Sequence, residues 1–222
     1  MRQLKQRFLD GFRYPAYRRP CHNGTGTHAN NQINNSIFNM SYFIALSGSP
    51  TKFSKASFLL QSVRWILDER AVEFRVVHAV DLPPIGPGTP GIADQFIADT
   101  IEQIQKAAAI VLVAPATKDT SPALLTSLLD FLPKNTFSSK PVLLLATGGL
   151  PGQVAILERA LRHILFRLGT TSIAGRVHIG TGSWLFVGDD RPRLSRGAER
   201  EVAHAIDLVL RTVNPKDVSL AL

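Results

Sequence analysis

Leu46-Ser-Gly-Ser-Pro-Thr-Lys-Phe-Ser-Lys-Ala-Ser57 gathers the groups that a phosphate ester needs. It offers hydroxyls at Ser47, Ser49, Thr51, Ser54 and Ser57, cations at Lys52 and Lys55, and Gly48 for a tight turn. A phosphomonoester demands many donors in a small volume. A helix predicted to begin within this stretch adds unpaired N–H groups and a dipole that favours an anion. The same residues also suit a simple N-cap with a solvated Ser/Lys turn, and the residues alone leave both readings open. Two other nucleotide designs are disfavoured. The chain has no G-x-x-x-x-G-K-[ST] and no G-x-G-x-x-G after its first strand, which argues against a P-loop and a Rossmann dinucleotide site.

Two later stretches have the composition of loops that approach a flat ring. Pro115-Ala-Thr-Lys118 leads toward Pro122, which can sit at a helix's first turn. Thr147-Gly-Gly149 is followed by Pro151 and Gly152, and its glycines let backbone amides come close to a ligand. Ordinary strand-to-helix turn chemistry would account for either stretch alone. Their placement at one edge of a sheet favours a site.

The elements that must position these turns follow from periodicity and punctuation. Strands are predicted at 42–47, about 72–79, 109–114 and 142–147, and within 171–179 with an extension at 183–187. Helices are predicted at about 55–69, 92–108, 122–132, 153–168 and 195–213, with Gly169 closing the fourth and Ser195 capping the fifth. Alternating strands and helices imply an α/β fold with a parallel sheet covered on both faces and right-handed crossovers. Ligands of such sheets bind beyond the carboxyl ends of the strands, where all three turns would lie.

Composition narrows the function. The chain has 222 residues, 45% apolar and 19% charged, as expected for a globular α/β domain. It shows no apolar run of 18 residues, so no transmembrane helix is predicted. The single cysteine, Cys21, excludes an internal disulfide and fits a cytoplasmic protein. The net charge of +8 includes +5 within residues 1–39, leaving a mildly basic remainder. An anionic cofactor accounts for that remainder, and no nucleic-acid docking motif is present. Residues 1–39 lack a helical or strand period and read as a disordered or artefactual extension before a domain spanning 40–222. An Arg-rich targeting peptide is the other reading. His78, His163, His178 and His204 fall on different elements and form no metal triad, so buried or capping roles are expected. Asp189, Asp190, Arg191, Arg193 and Arg196 read as a solvated cluster, with contact to a nucleotide phosphate as the other reading, and Trp184 and Phe186 as packing at strand five or at a subunit contact.

With these residues in view, the sequence resembles the NADPH-dependent FMN reductases, most closely the branch that serves alkanesulfonate monooxygenases. The resemblance rests on Gly48-Ser49-Pro50 with Ser54, on Pro115 through Pro122 to Leu125 and Asp130, and on Leu145-Ala-Thr-Gly-Gly149 continuing to Ala160-Leu-Arg162; it spans about residues 42–210. It implies a flavodoxin-like three-layer sandwich with strand order 2-1-3-4-5. It implies FMN as cofactor, its phosphate on Ser49, Ser54 and Ser57. Pro115, Ala116 and Thr117 would border the isoalloxazine, and Thr147, Gly148 and Gly149 would meet its pyrimidine side. NADPH or NADH would deliver hydride to the flavin without a protein acid or base. A homodimer or homotetramer and a partner flavin-dependent monooxygenase are also implied. Thr51 stands where the family usually has Arg, with Lys52 beside it as a substitute charge. Thr117 stands where Tyr is usual, and Ala123 and Thr126 replace Gly and Lys. Ser121 falls near the point where some members of the branch insert a Tyr. Two alternatives remain: an FMN-containing quinone, azo or metal-ion reductase, or a non-catalytic flavin-binding electron-transfer protein.

Overall fold

A strand covered on both faces has no reason to alternate, and three strands here do not. β1 (Phe43–Ser47) and β4 (Val142–Thr147) are buried at every residue, and β3 (Ala109–Pro115) at all but its last. β2 (Phe74–His78) and β5 (Ile173–Ile179) carry exposed Arg75 and Arg176, as suits sheet edges. The five form a parallel sheet in the order β2-β1-β3-β4-β5, as expected. The structure is a computed structural model that describes residues 42–83, 92–116, 122–170, 173–186 and 192–213. The reading of residues 1–39 falls outside them.

Successive side chains send the sheet's residues into two cores. Phe43, Ala45, Val111, Val113, Leu143 and Leu145 pack under α1 (Lys55–Glu69) and α5 (Arg196–Val213). Ile44, Leu46, Ile110, Leu112, Leu144 and Ala146 pack under α2 (Ile92–Lys106), α3 (Ala123–Asp130) and α4 (Pro151–Arg167).

Helix ends follow local chemistry. Ser54 caps α1, whose bounds match the expectation, and Ser195 caps α5 through a 3.3 Å bond from the Ala198 N–H. Gly169, at φ 87°, ends α4 as expected: its N–H donates to Phe166 O and that of Thr170 to Leu165 O, the paired bonds of a Schellman motif. α2 stops at Lys106, two residues early, because the Ala108 N–H already donates to Tyr42 O in the sheet. Lys140 Nζ then takes the carbonyls of Gln105 and Ala107.

One expected element is corrected. Residues 183–186 do not extend β5, and Val187 lies outside the described residues. After a 3₁₀ turn at Thr181–Ser183, β6 (Trp184–Phe186) pairs antiparallel with β7 (Pro192–Leu194) in a separate two-stranded sheet. Trp184 and Leu194 are buried in the core beneath α1 and α5, and that apolar gain favours leaving the parallel sheet. Trp184 packs as expected, whereas Phe186 is 67% exposed, which leaves a subunit contact as its expected packing.

Candidate functional site

Register brings the three turns to one edge. Ser47 pairs with His78 and Val113, Pro115 with Thr147, and Thr147 with Ile179. The ladder continues one residue past each central strand: the N–H groups of Gly48, Ala116 and Gly148 donate to Val113 O, Thr147 O and Ile179 O, each at 2.8 Å. Those amides are therefore committed to the sheet. Donors for a ligand come from later amides and from side chains.

The serine turn is internally connected. Ser57 Oγ lies 3.3 Å from Ser54 Oγ, Ser54 Oγ lies 2.7 Å from Ser49 Oγ, and Ser49 Oγ donates to Thr51 O at 2.9 Å. Thr51 Oγ1 donates to Phe53 O. Ser49 and Ser47 are buried, and Ser47 Oγ has no partner among the described residues. An unpaired buried hydroxyl is unfavourable, and a polar ligand at the turn would relieve it. Lys55 occupies the first position of α1, whose first turn contains no acidic residue. A cation there opposes the helix dipole unless an anion sits between them.

Lys52 pairs with Asp81, Nζ to Oδ2 at 2.8 Å, with both side chains about half exposed. Exposed pairs contribute little to stability, so an incoming anion could redirect Lys52 cheaply. His78, on the neighbouring strand end, has a buried Nδ1 without a partner among the described residues. Burial holds its pKa below the ordinary 6.5, nearby Lys52 lowers it further, and Asp81 opposes both. The unfolded chain therefore binds the proton more readily. Stability is full above about pH 6.5 and declines as the pH falls from there through the folded-state value. Urea melts of the wild type between pH 7.5 and 5 should lose stability faster than those of His78→Gln; equal slopes would refute this.

Where a ring could lie, the two later turns touch. Gly148 and Gly149 both have positive φ, 76° and 69°. A Cβ on Gly149 would sit 1.9 Å from Ala116 O and 2.3 Å from Gln153 Oε1, whereas one on Gly148 would meet none of the described residues within 4 Å. Gln153 Oε1 accepts from the Leu150 N–H at 2.7 Å, which fixes the entry to α4. The Gly148 carbonyl meets His178 Nε2 on β5 at 2.8 Å. Thr117 and Lys118 lie outside the described residues, as do Ser121, Asp189, Asp190 and Arg191.

The family model for NADPH-dependent FMN reductases matches residues 42–183, a span that takes in all three turns. The chain belongs to this family. An FMN reductase (NADPH) of Escherichia coli K12 is 26% identical over 177 residues, covering 80% of this chain and 92% of that protein. Among solved structures, an apo NADH:FMN oxidoreductase superposes with a TM-score of 0.61 at 23% identity, covering 77% of this chain and 89% of the other. A flavodoxin of Streptococcus pneumoniae TIGR4 superposes with a TM-score of 0.52 at 8% identity, covering 76% and 97%. The two superpositions show the flavodoxin-like fold. Family membership makes this reductase an oxidoreductase of FMN and NADPH.

The residues present fit FMN. Ser47 Oγ lacks a partner at the turn that would take a phosphate, and Lys55 crowds a helix N-terminus with no acid to balance it. Among the described residues nothing stands within 4 Å of a side chain's first carbon at Gly148, where a ring edge would come. Sequence reasoning placed the reductase's turns but missed the Lys52–Asp81 pair and the His178–Gly148 bond. For His178 the only available signal was a histidine at the carboxyl end of a predicted edge strand.

Proposed function

We propose that this FMN reductase holds FMN at the carboxyl edge of its sheet. Ser49, Ser54 and Ser57, with Ser47 and Thr51 beside them, take the phosphate. Pro115, Ala116, Thr117 and Lys118 border the isoalloxazine, and Thr147, Gly148 and Gly149 meet its pyrimidine edge. Lys52 and Lys55 supply cations. NADPH, or NADH, provides hydride and FMN accepts it; the chemistry is the cofactors' own. The chain's residues bind, align and exclude water, and proximity of the two rings supplies much of the rate. No protein acid or base is needed.

The observation that carries this reading is the linked serine cluster at the N-terminus of α1, with Ser49 buried and the buried Ser47 Oγ without a partner among the described residues. We further propose that residues 40–222 form the functional domain, that residues 1–39 are an extension, and that the protein works in the cytoplasm as a homodimer or homotetramer. Loss of the usual Arg at Thr51, with Lys52 turned toward Asp81, favours weak binding. Weak binding suits a reductase of the alkanesulfonate-associated branch that passes reduced flavin to a flavin-dependent monooxygenase.

The test is NADPH and NADH oxidation by the full chain with free FMN, beside flavin retention after gel filtration. Saturable turnover on FMN with little retained flavin is expected. Retained flavin that turns over only with quinones or dyes would replace this reading with a prosthetic-group reductase.

A further inference from the structure

We infer that His178 is a positioning residue that sets and polarises the one loop amide left to face the flavin, an inference that rests on the ring site proposed above. A carbonyl oxygen can only accept a hydrogen bond, so the 2.8 Å contact fixes the proton on His178 Nε2, which donates to Gly148 O. That carbonyl belongs to the Gly148–Gly149 peptide. No described peptide bond is cis, so the Gly149 N–H points opposite to the carbonyl. The carbonyl is directed at the His178 ring, and the N–H is therefore directed away from that ring.

Two facts make this amide distinctive. The Gly148 N–H is committed to Ile179 O, and among the described residues the Gly149 N–H has no acceptor. Gly149 is also wedged against Ala116 O, so the peptide has little freedom to rotate. Among the described residues only the His178 ring holds its carbonyl end. Donation into a carbonyl polarises the whole peptide unit and strengthens the N–H as a donor. A strengthened donor favours the electron-rich reduced flavin over the oxidised form, because hydrogen bonds to charged acceptors are the stronger ones.

His178→Leu removes the donor, and His178→Gln keeps an N–H at the same reach. In flavin-free full-length protein, the Gly149 amide nitrogen resonance should move in His178→Leu and return toward the wild-type position in His178→Gln. Binding should fall by about fivefold more for reduced than for oxidised FMN in the leucine variant, and the glutamine variant should recover most of the loss. Thermal melts of both variants separate this from a general loss of fold. An unmoved Gly149 resonance, equal losses for the two redox forms, or leucine and glutamine variants that behave alike would each overturn the inference. Wild-type protein that binds no FMN would instead overturn the ring site and carry the inference with it.

Discussion

Gly149→Ala is expected to destabilise the protein by about 3 kcal/mol and to abolish measurable FMN binding. Two effects add. A φ of 69° costs an L-residue on the order of 1 kcal/mol. The new methyl would also sit 1.9 Å from Ala116 O and 2.3 Å from Gln153 Oε1. One of those atoms is backbone at the end of a central strand, held by the ladder bond from the Ala116 N–H to Thr147 O. It cannot yield without separating β3 from β4, and overpacking of this kind typically costs 1–3 kcal/mol. A fall in melting temperature of roughly 6–12 °C should follow for a domain of this size. Gly148→Ala is the control: its φ of 76° is as unfavourable, but the methyl meets none of the described residues within 4 Å. Its cost should stay near 1 kcal/mol. Calorimetry on both variants decides the matter, and equal melting temperatures would mean that the two turns are not in the contact described.

What the sequence made legible is what local chemistry controls. The serine turn, the Ser54 cap and the bounds of α1 are settled within a few residues of one another. Gly169 closes α4 by the same logic, since only a left-handed residue can complete its bonds. The central strands were readable because a buried parallel strand is an unbroken apolar run. What escaped reading depends on register. His178 reaches Gly148 across 30 residues because β5 pairs with β4 through an irregularity between Val142 and Leu143, which face Ile173 and Gly175. A slip of one residue reverses every side chain on a strand, and no local signal announces this one. The Lys52–Asp81 pair likewise joins turns after different strands. The β6–β7 pair reads locally as more of β5 because its apolar Trp184 and Leu185 look like strand residues; their pairing with Leu194 and Arg193 lies downstream.

Ser54→Ala should separate the phosphate role of the first turn from its structural role. As N-cap, Ser54 accepts from the Ser57 N–H at 3.3 Å, and loss of that bond typically costs about 1 kcal/mol, or roughly 2–4 °C in melting temperature. As part of the hydroxyl cluster it lies 2.7 Å from Ser49 Oγ, and either hydroxyl can rotate toward an anion at the helix N-terminus. A hydrogen bond to a charged group contributes about 1.5–3 kcal/mol, so the FMN dissociation constant should rise by about 10- to 100-fold. Riboflavin, which shares the ring but lacks the phosphate, should bind wild type and variant alike. This contrast carries the test, because a variant that had merely loosened α1 would lose both flavins together. The Asp81 partner of Lys52 offers a second axis. If the lysine turns toward the phosphate when FMN binds, added salt should weaken FMN more than riboflavin in the wild type. Equal sensitivity of the two flavins, both to the serine substitution and to salt, would place the phosphate somewhere other than this turn.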